Sequence, residues 1–227
     1  MRQYLPDREK NGMNRLFAIG DIHGCYDQLR ELIEEKIRPQ PDDMIILLGD
    51  YIDRGYKVKE VTDYIIELQN RHPGIRALRG NHEQMMLEAI KTGDMTAWSW
   101  NGAETTLASF RISSPAYLED KYLNFFEGLL WYFEFNEYLF VHAGFNDNDP
   151  FNDKWSMVWT RRETYENPLL NKRIIVHGHT PITVDTCVQN VQSHNTLINI
   201  DTGAVYREAD YGTLTAIELN SRELFFA

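Results

Sequence analysis

The sequence predicts an α/β fold: a single domain of mixed β-sheets with helices outside. Three observations carry this. Short apolar runs recur along the chain, many breaking off at Gly-Asp, Gly-Asn or His-Ala-Gly, as buried strands do where they give way to polar loops. Helical patterns separate the early runs, which implies βαβ units with parallel strands. The final third is richer in strand patterns.

Residues 1–14, "MRQYLPDREKNGMN", are polar and lack an apolar signal core, so they are expected to form a flexible arm ahead of a domain over 15–227. "RLFAIGD" is the first strand. In "YDQLRELIEEKI" Leu29, Leu32, Ile33 and Ile37 share one helical face. "MIILLGD" is the second strand, and in "KVKEVTDYIIEL" Val58, Val61, Ile65 and Leu68 again share a face. "GIRALRGN" is the third strand. Residues 84–128 differ: "MMLEAI", "AWSWNGAETTLASF" and "YLNFFEGL" form a mostly helical insert with aromatic clusters. Trp98 and Trp100 within it read either as packing between helices or as a wall of a substrate cleft. "YLFVHAG", "RIIVHGH" and "TLINIDTG" are further strands, and "TLTAIELNSRELFFA" is a hairpin turned at Asn220-Ser221.

Composition narrows the function. The 43% apolar content suits a packed globule, and no apolar run approaches the roughly 20 residues that cross a bilayer. A net charge of −11 argues against a duplex nucleic-acid binder, which needs a basic face to neutralise phosphates. It leaves room for a phosphate-bearing substrate, because bound cations can invert the local field. Cys25 and Cys187 form no metal-type pair and read as reduced thiols of a cytoplasmic protein.

Ligands of open α/β sheets collect at the carboxyl ends of strands. Those ends carry Asp21 and His23 in "GDIHG", Asp50, Asp53 and Arg54 in "GDYIDRG", and Asn81 and His82 in "GNHE". His142 follows in "VHAG", then His177 and His179 in "VHGHTP". A lone Asp after Gly is usually a turn or cap residue, and a lone buried His is usually satisfied core. Together, carboxylates, imidazoles and one amide make a mixed O/N site suited to Mn²⁺, Fe or Zn²⁺ and too rich in nitrogen for Ca²⁺ or Mg²⁺ alone.

The order "GDIHG … GDYIDRG … GNHE … VHAG … VHGHTP" resembles the bacterial and phage serine/threonine phosphatases of the calcineurin-like metallophosphoesterases, over roughly residues 15 to 219. "WSWNG", "MVWTRR" and "INIDTGAVY … GTLTAIEL" agree with it. The resemblance implies a four-layer α/β/β/α sandwich of two mixed sheets. It implies two divalent ions, Mn²⁺ first and Fe or Zn²⁺ as alternatives. Asp21, His23 and Asp50 would hold one; Asp50, Asn81, His142 and His179 the other, with Asp50 bridging. Metal-bound hydroxide would attack phosphorus in line. His82 would be the general acid, oriented by Asp53, while Arg54 and Arg161, in preference to Arg162, would clamp phosphate. Cys25 is a bystander. Glu83 reads as a helix cap and His177, a departure from relatives, as structural. "YREADYGT" also departs and reads as a longer loop over the site.

The leading expectation is a phosphatase acting on phosphoserine and phosphothreonine in proteins, as a monomer or small homo-oligomer. The alternative is hydrolysis of a diadenosine polyphosphate or another nucleotide anhydride. A catalytically inactive phosphoprotein-binding module is disfavoured, because every matched ligand, Asp53, His82 and Arg54 are all present.

Overall fold

The computed structural model describes residues 15–227, so the arm expected over 1–14 lies outside the described residues. In chain order the strands are β1 (Leu16–Ile19), β2 (Met44–Leu47), β3 (Ile75–Ala77), β4 (Tyr132–Phe135), β5 (Tyr138–Val141), β6 (Ile174–His177), β7 (Leu197–Asn199), β8 (Thr215–Glu218) and β9 (Glu223–Phe226). The helices are α1 (Tyr26–Glu31), α2 (Val58–Arg71), α3 (Asn81–Thr92), α4 (Thr96–Ser99), α5 (Ala103–Phe110), α6 (Asp120–Glu127), α7 (Lys154–Trp159) and α8 (Val184–Gln192).

Two mixed sheets result, as the sequence predicts. One has the order β3-β2-β1-β8-β9, the other β4-β5-β6-β7. In the first, β1, β2 and β3 run parallel and the β8–β9 hairpin pairs antiparallel to β1. In the second, β5, β6 and β7 run parallel, with β4 antiparallel at the edge. The central strands β1, β2, β5 and β6 read as continuous apolar runs because they are covered on both faces. Leu16 and Ala18 point between the sheets, while Phe17 and Ile19 face the helical layer. Phe140, Val176 and Ile198 meet the first sheet from the second. Leu139, Val141 and Ile175 pack outward on Phe145, Met157 and Leu170, so α7 and the segment around it form the fourth layer. Each fully buried apolar side chain contributes about 1.5–3 kcal/mol.

The α1 stretch departs from a simple helix. After Glu31 the chain widens into a π-helical turn over Leu32–Ile37, closed by Arg38 in the left-handed region at φ 50°. Its last carbonyls are not left bare: the Arg15 guanidinium donates to the carbonyls of Ile37 and Arg38, each at 3.1 Å. Leu29, Leu32, Ile33 and Ile37 all remain buried. In α2, Val58, Val61, Ile65 and Leu68 face the core as predicted.

Two elements escaped the sequence pattern. Strand β4 runs into β5 through Asn136-Glu137, with Asn136 at φ 52°; without a glycine the two-residue turn is hard to see between two aromatic-rich runs. Helix α8 buries only Cys187 and Val191 along its length, too few for a periodic signal. Among the described residues no helix is long and apolar enough to cross a membrane.

Candidate metal centre and acid–base pair

Every predicted metal ligand, and His82 with them, follows a parallel strand or opens the element after it, whereas Arg161 follows α7. Asp21 and His23 follow β1, Asp50 follows β2, Asn81 and His82 open α3 behind β3, His142 follows β5 and His179 follows β6. The turns that carry them are sharp. Of the non-glycine residues with positive φ, His23 (45°), Asp50 (51°), Asp53 (67°), Arg54 (67°) and His179 (70°) all belong to this site. Such backbone carries a cost of order 1–3 kcal/mol each and persists only where surrounding contacts impose it.

At Asp50 the contacts that impose it are on Glu83. Its carboxylate accepts N–H bonds from Asp50 (3.0 Å), Tyr51 (2.8 Å), Ile52 (3.2 Å) and Gly80 (2.9 Å). The bond to Gly80 is the helix cap that the sequence predicts. The other three tie the Asp50 loop to the start of α3 and were not foreseen. Gly80 itself is required by space, because a Cβ there would collide with Asp50 Oδ1 and the Asp50 amide. Gly80→Ala is expected to destabilise the metal-free protein by about 1–3 kcal/mol, as overpacking does; equilibrium unfolding in urea measures this.

Asp50 is the centre of the cluster. Its Oδ2 lies 3.5 Å from His23 Nε2, 3.5 Å from His142 Nε2 and 3.9 Å from His82 Nε2. His142 donates from Nδ1 to the Leu48 carbonyl (3.0 Å) and His23 from Nδ1 to the Ile52 carbonyl (2.8 Å). Both rings therefore keep the lone pair on Nε2, the tautomer a metal ligand needs, and on His23 that lone pair also meets Arg54 Nη1. Asn81 Oδ1 sits 3.0 Å from both His142 Nε2 and His179 Nδ1. His179 Nε2 is buried with no partner. Lone pairs thus converge on one another with nothing between them, which a cation would satisfy. Two overlapping groups could hold a metal: His23, Asp50 and His82, and Asp50, His142 and His179.

Electrostatics agree. Burial keeps His23, His142 and His179 below the ordinary histidine range, His179 at about 3. Burial thus favours the neutral form that can ligate. Burial also works against charge on Asp50, but the surrounding histidines, His142 foremost, outweigh it and hold the carboxylate well below its usual range.

Asp21 stands apart from both groups. Its oxygens accept the His179 N–H at 3.0 and 3.2 Å. Asp201, which the sequence reading passed over inside "INIDTG", lies beside it and is pushed up to about 7, chiefly by burial. A Cβ at Gly178 would run into Asp21 Oδ1, so that glycine makes room for the carboxylate.

His82 is fully buried, and its Nδ1 bonds Asp53 Oδ2 at 2.7 Å. Burial disfavours its charged form, but Asp50 and Asp53 together raise it above the ordinary histidine value. Arg54 Nη1 donates to His23 Nε2 at 2.8 Å, and the Tyr206 ring lies 6.0 Å from its guanidinium. Tyr206 opens "YREADYGT", whose described residues form no strand or helix. Arg161 Nε donates to the Thr180 hydroxyl at 3.3 Å, beside His179, whereas Arg162 turns to Asp147 at 3.6 Å. His177 is buried with Nδ1 against the Gly178 carbonyl at 3.1 Å, consistent with a structural part. Cys25 and Cys187 are free, with both thiols pushed up to about 12 by burial. The two tryptophans divide: Trp98 is buried, as the packing reading has it, and Trp100 is 86% exposed.

Comparison with known proteins agrees with this geometry. Residues 15–206 match the family model described as calcineurin-like phosphoesterase. The chain is 28% identical over 214 residues to the serine/threonine-protein phosphatase 1 of Salmonella typhimurium, covering 87% of this chain and 90% of that one. A structure described as a candidate diadenosine tetraphosphatase superposes with a TM-score of 0.67 at 18% identity, over 94% of this chain and 93% of that one. A cold-active protein-tyrosine phosphatase of a psychrophilic Shewanella species gives 0.65 at 21% identity, over 95% of this chain and 78% of that one. At such identities the structural likeness speaks for the fold alone.

Proposed function

The chain belongs to the calcineurin-like phosphoesterase family of hydrolases, and on that premise we propose that it is a metal-dependent phosphomonoesterase acting on phosphoserine and phosphothreonine in proteins. We place it in the cytoplasm, where its two free thiols fit, with residues 15–227 as one domain. The observation that carries the reading is the junction of a cation-demanding cluster on Asp50 with a buried His82–Asp53 pair whose outer nitrogen has no partner. A binding module has no use for that pair.

Asp21, His23 and Asp50 would hold one cation, and Asp50, Asn81, His142 and His179 a second, with Mn²⁺ the first candidate and Fe or Zn²⁺ next. Bound there, two cations polarise the phosphoryl oxygens and lower the pKa of water. The chain supplies the rest. Arg54 and Arg161 clamp the non-bridging oxygens, a task for which the planar guanidinium is suited. His82, whose charged form the two carboxylates favour, gives its Nε2 proton to the leaving oxygen while Asp53 holds the ring. That is why it is assigned as acid and not as a third ligand beside His23.

Hydrolysis of a nucleotide anhydride is the second reading, and one observation favours it. Exposed Trp100 lies two residues from Gly102, where an added Cβ would come within 3.1 Å of the Arg54 backbone nitrogen. An aromatic surface near a phosphate clamp can stack a base. Buried Trp98 cannot. The Salmonella relative's name favours the protein substrate, the diadenosine tetraphosphatase likeness the nucleotide.

The test compares initial rates of Mn²⁺-loaded protein on a phosphothreonine peptide and on diadenosine tetraphosphate. The peptide is expected to show the higher kcat/KM, with activity lost to chelator and restored by Mn²⁺. A preference for the dinucleotide puts the second reading first. Metal-independent turnover overturns both.

A further inference from the structure

The helical segment between β3 and β4 reaches the acid–base pair through two side chains that no sequence motif links to catalysis. The Trp98 indole N–H donates to Asp53 Oδ2 at 2.8 Å, the same oxygen that bonds His82 Nδ1 at 2.7 Å. The Thr106 hydroxyl donates to Asp53 Oδ1 at 2.6 Å and accepts the Asp53 backbone N–H at 2.9 Å. Trp98 and Thr106 are each 1% exposed, and Asp53 is fully buried. We propose that Trp98 and Thr106 are positioning residues, which fix the Asp53 carboxylate so that His82 directs its proton at the leaving oxygen.

The chemistry of the donors carries this. An indole nitrogen can only donate, so Asp53 Oδ2 is obliged to accept. With Thr106 on the other oxygen, the carboxylate has no free rotation about its own axis. Because Oδ2 must accept, His82 must carry its shared hydrogen on Nδ1, and ring orientation follows. The remaining atom, Nε2, is buried and without a partner among the described residues, 3.9 Å from Asp50 Oδ2. Asp53 sits at φ 67°, and the Thr106 bond to its amide helps to hold that unusual backbone. Packing alone would not need a tryptophan here, since phenylalanine fills most of the same space.

The inference rests on the phosphoester reading above. In the step concerned, the bond from phosphorus to the leaving oxygen breaks with its electron pair going to that oxygen. The oxygen takes the proton from His82 Nε2, and a new P–O bond forms to the oxygen of water, which keeps one proton on the phosphate and releases the other to solvent, from which His82 is reprotonated. A leaving group that is a stable anion needs that proton little. Phenolate needs it far more than p-nitrophenolate.

The experiment therefore compares Trp98→Phe with the parent on phenyl phosphate and p-nitrophenyl phosphate, using Mn²⁺-loaded protein of measured metal content. The kcat ratio of p-nitrophenyl to phenyl phosphate is expected to rise by roughly tenfold, within the 10–100-fold range of outer-sphere changes, with metal content unchanged. Equal losses on both esters, or no loss, overturn the inference and leave the reading of the site intact. A parent protein that cleaves neither ester overturns both. Should Trp98→Phe not fold, Thr106→Val and Thr106→Ser decide the matter: the ratio must rise in Val and stay at the parent value in Ser, and a shared ratio overturns the proposal.

Discussion

Asp50→Asn is expected to cost the proposed site at least one of its two cations and cut kcat by more than the roughly 10–100-fold typical of outer-sphere changes. The replacement isolates charge from shape. Asparagine tolerates the left-handed backbone that Asp50 adopts at φ 51°. Its amide oxygen can still accept the His82 N–H that Oδ1 takes at 3.1 Å. What it loses is the negative charge toward which His23, His142 and His82 all turn Nε2. Elemental analysis should show one divalent ion per chain or fewer, where the proposed site takes two. A variant that keeps two ions and full turnover would remove Asp50 from the centre of the proposed site.

His82→Asn separates proton transfer from metal binding. Turnover of a phosphothreonine peptide is expected to fall on the order of 10²–10⁴, the contribution of a positioned general acid, while metal content stays at the parent level. Asparagine preserves the helix start and a polar partner for Asp53. The distinction matters because His82 Nε2 lies close enough to His23 and Asp50 to serve as a ligand. If the ions leave with the imidazole, His82 belongs to the metal and the acid must be sought elsewhere.

Much of this centre was legible in the chain because strand ends announce themselves. An apolar run stopping at Gly-Asp or Gly-Asn gives both the edge of a sheet and the polar residue placed there, and Asp21, Asp50, Asn81, His142 and His179 all converge from such ends. Contacts between distant segments left no such mark. Trp98 and Asp53 are 45 residues apart, and nothing in "AWSWNG" says which indole turns inward. Glu83 showed its bond to Gly80, three residues away, but not those to Asp50, Tyr51 and Ile52 some thirty residues earlier. Asp201 was hidden for the same reason: its neighbour Asp21 lies at the far end of the chain. The β4–β5 turn, lacking glycine, merged into its strands.

The proposed ligands come from both sheets, with Asp21, His23, Asp50 and Asn81 leaving β1, β2 and β3 and His142 and His179 leaving β5 and β6. A cation seated among them would rivet one half of the sandwich to the other. Thermal resistance then becomes a function of supply: by mass action, each tenfold rise in free cation above its Kd adds about 1.4 kcal/mol per ion to the folded state. A cell starved of the metal would lose the enzyme's durability along with its turnover.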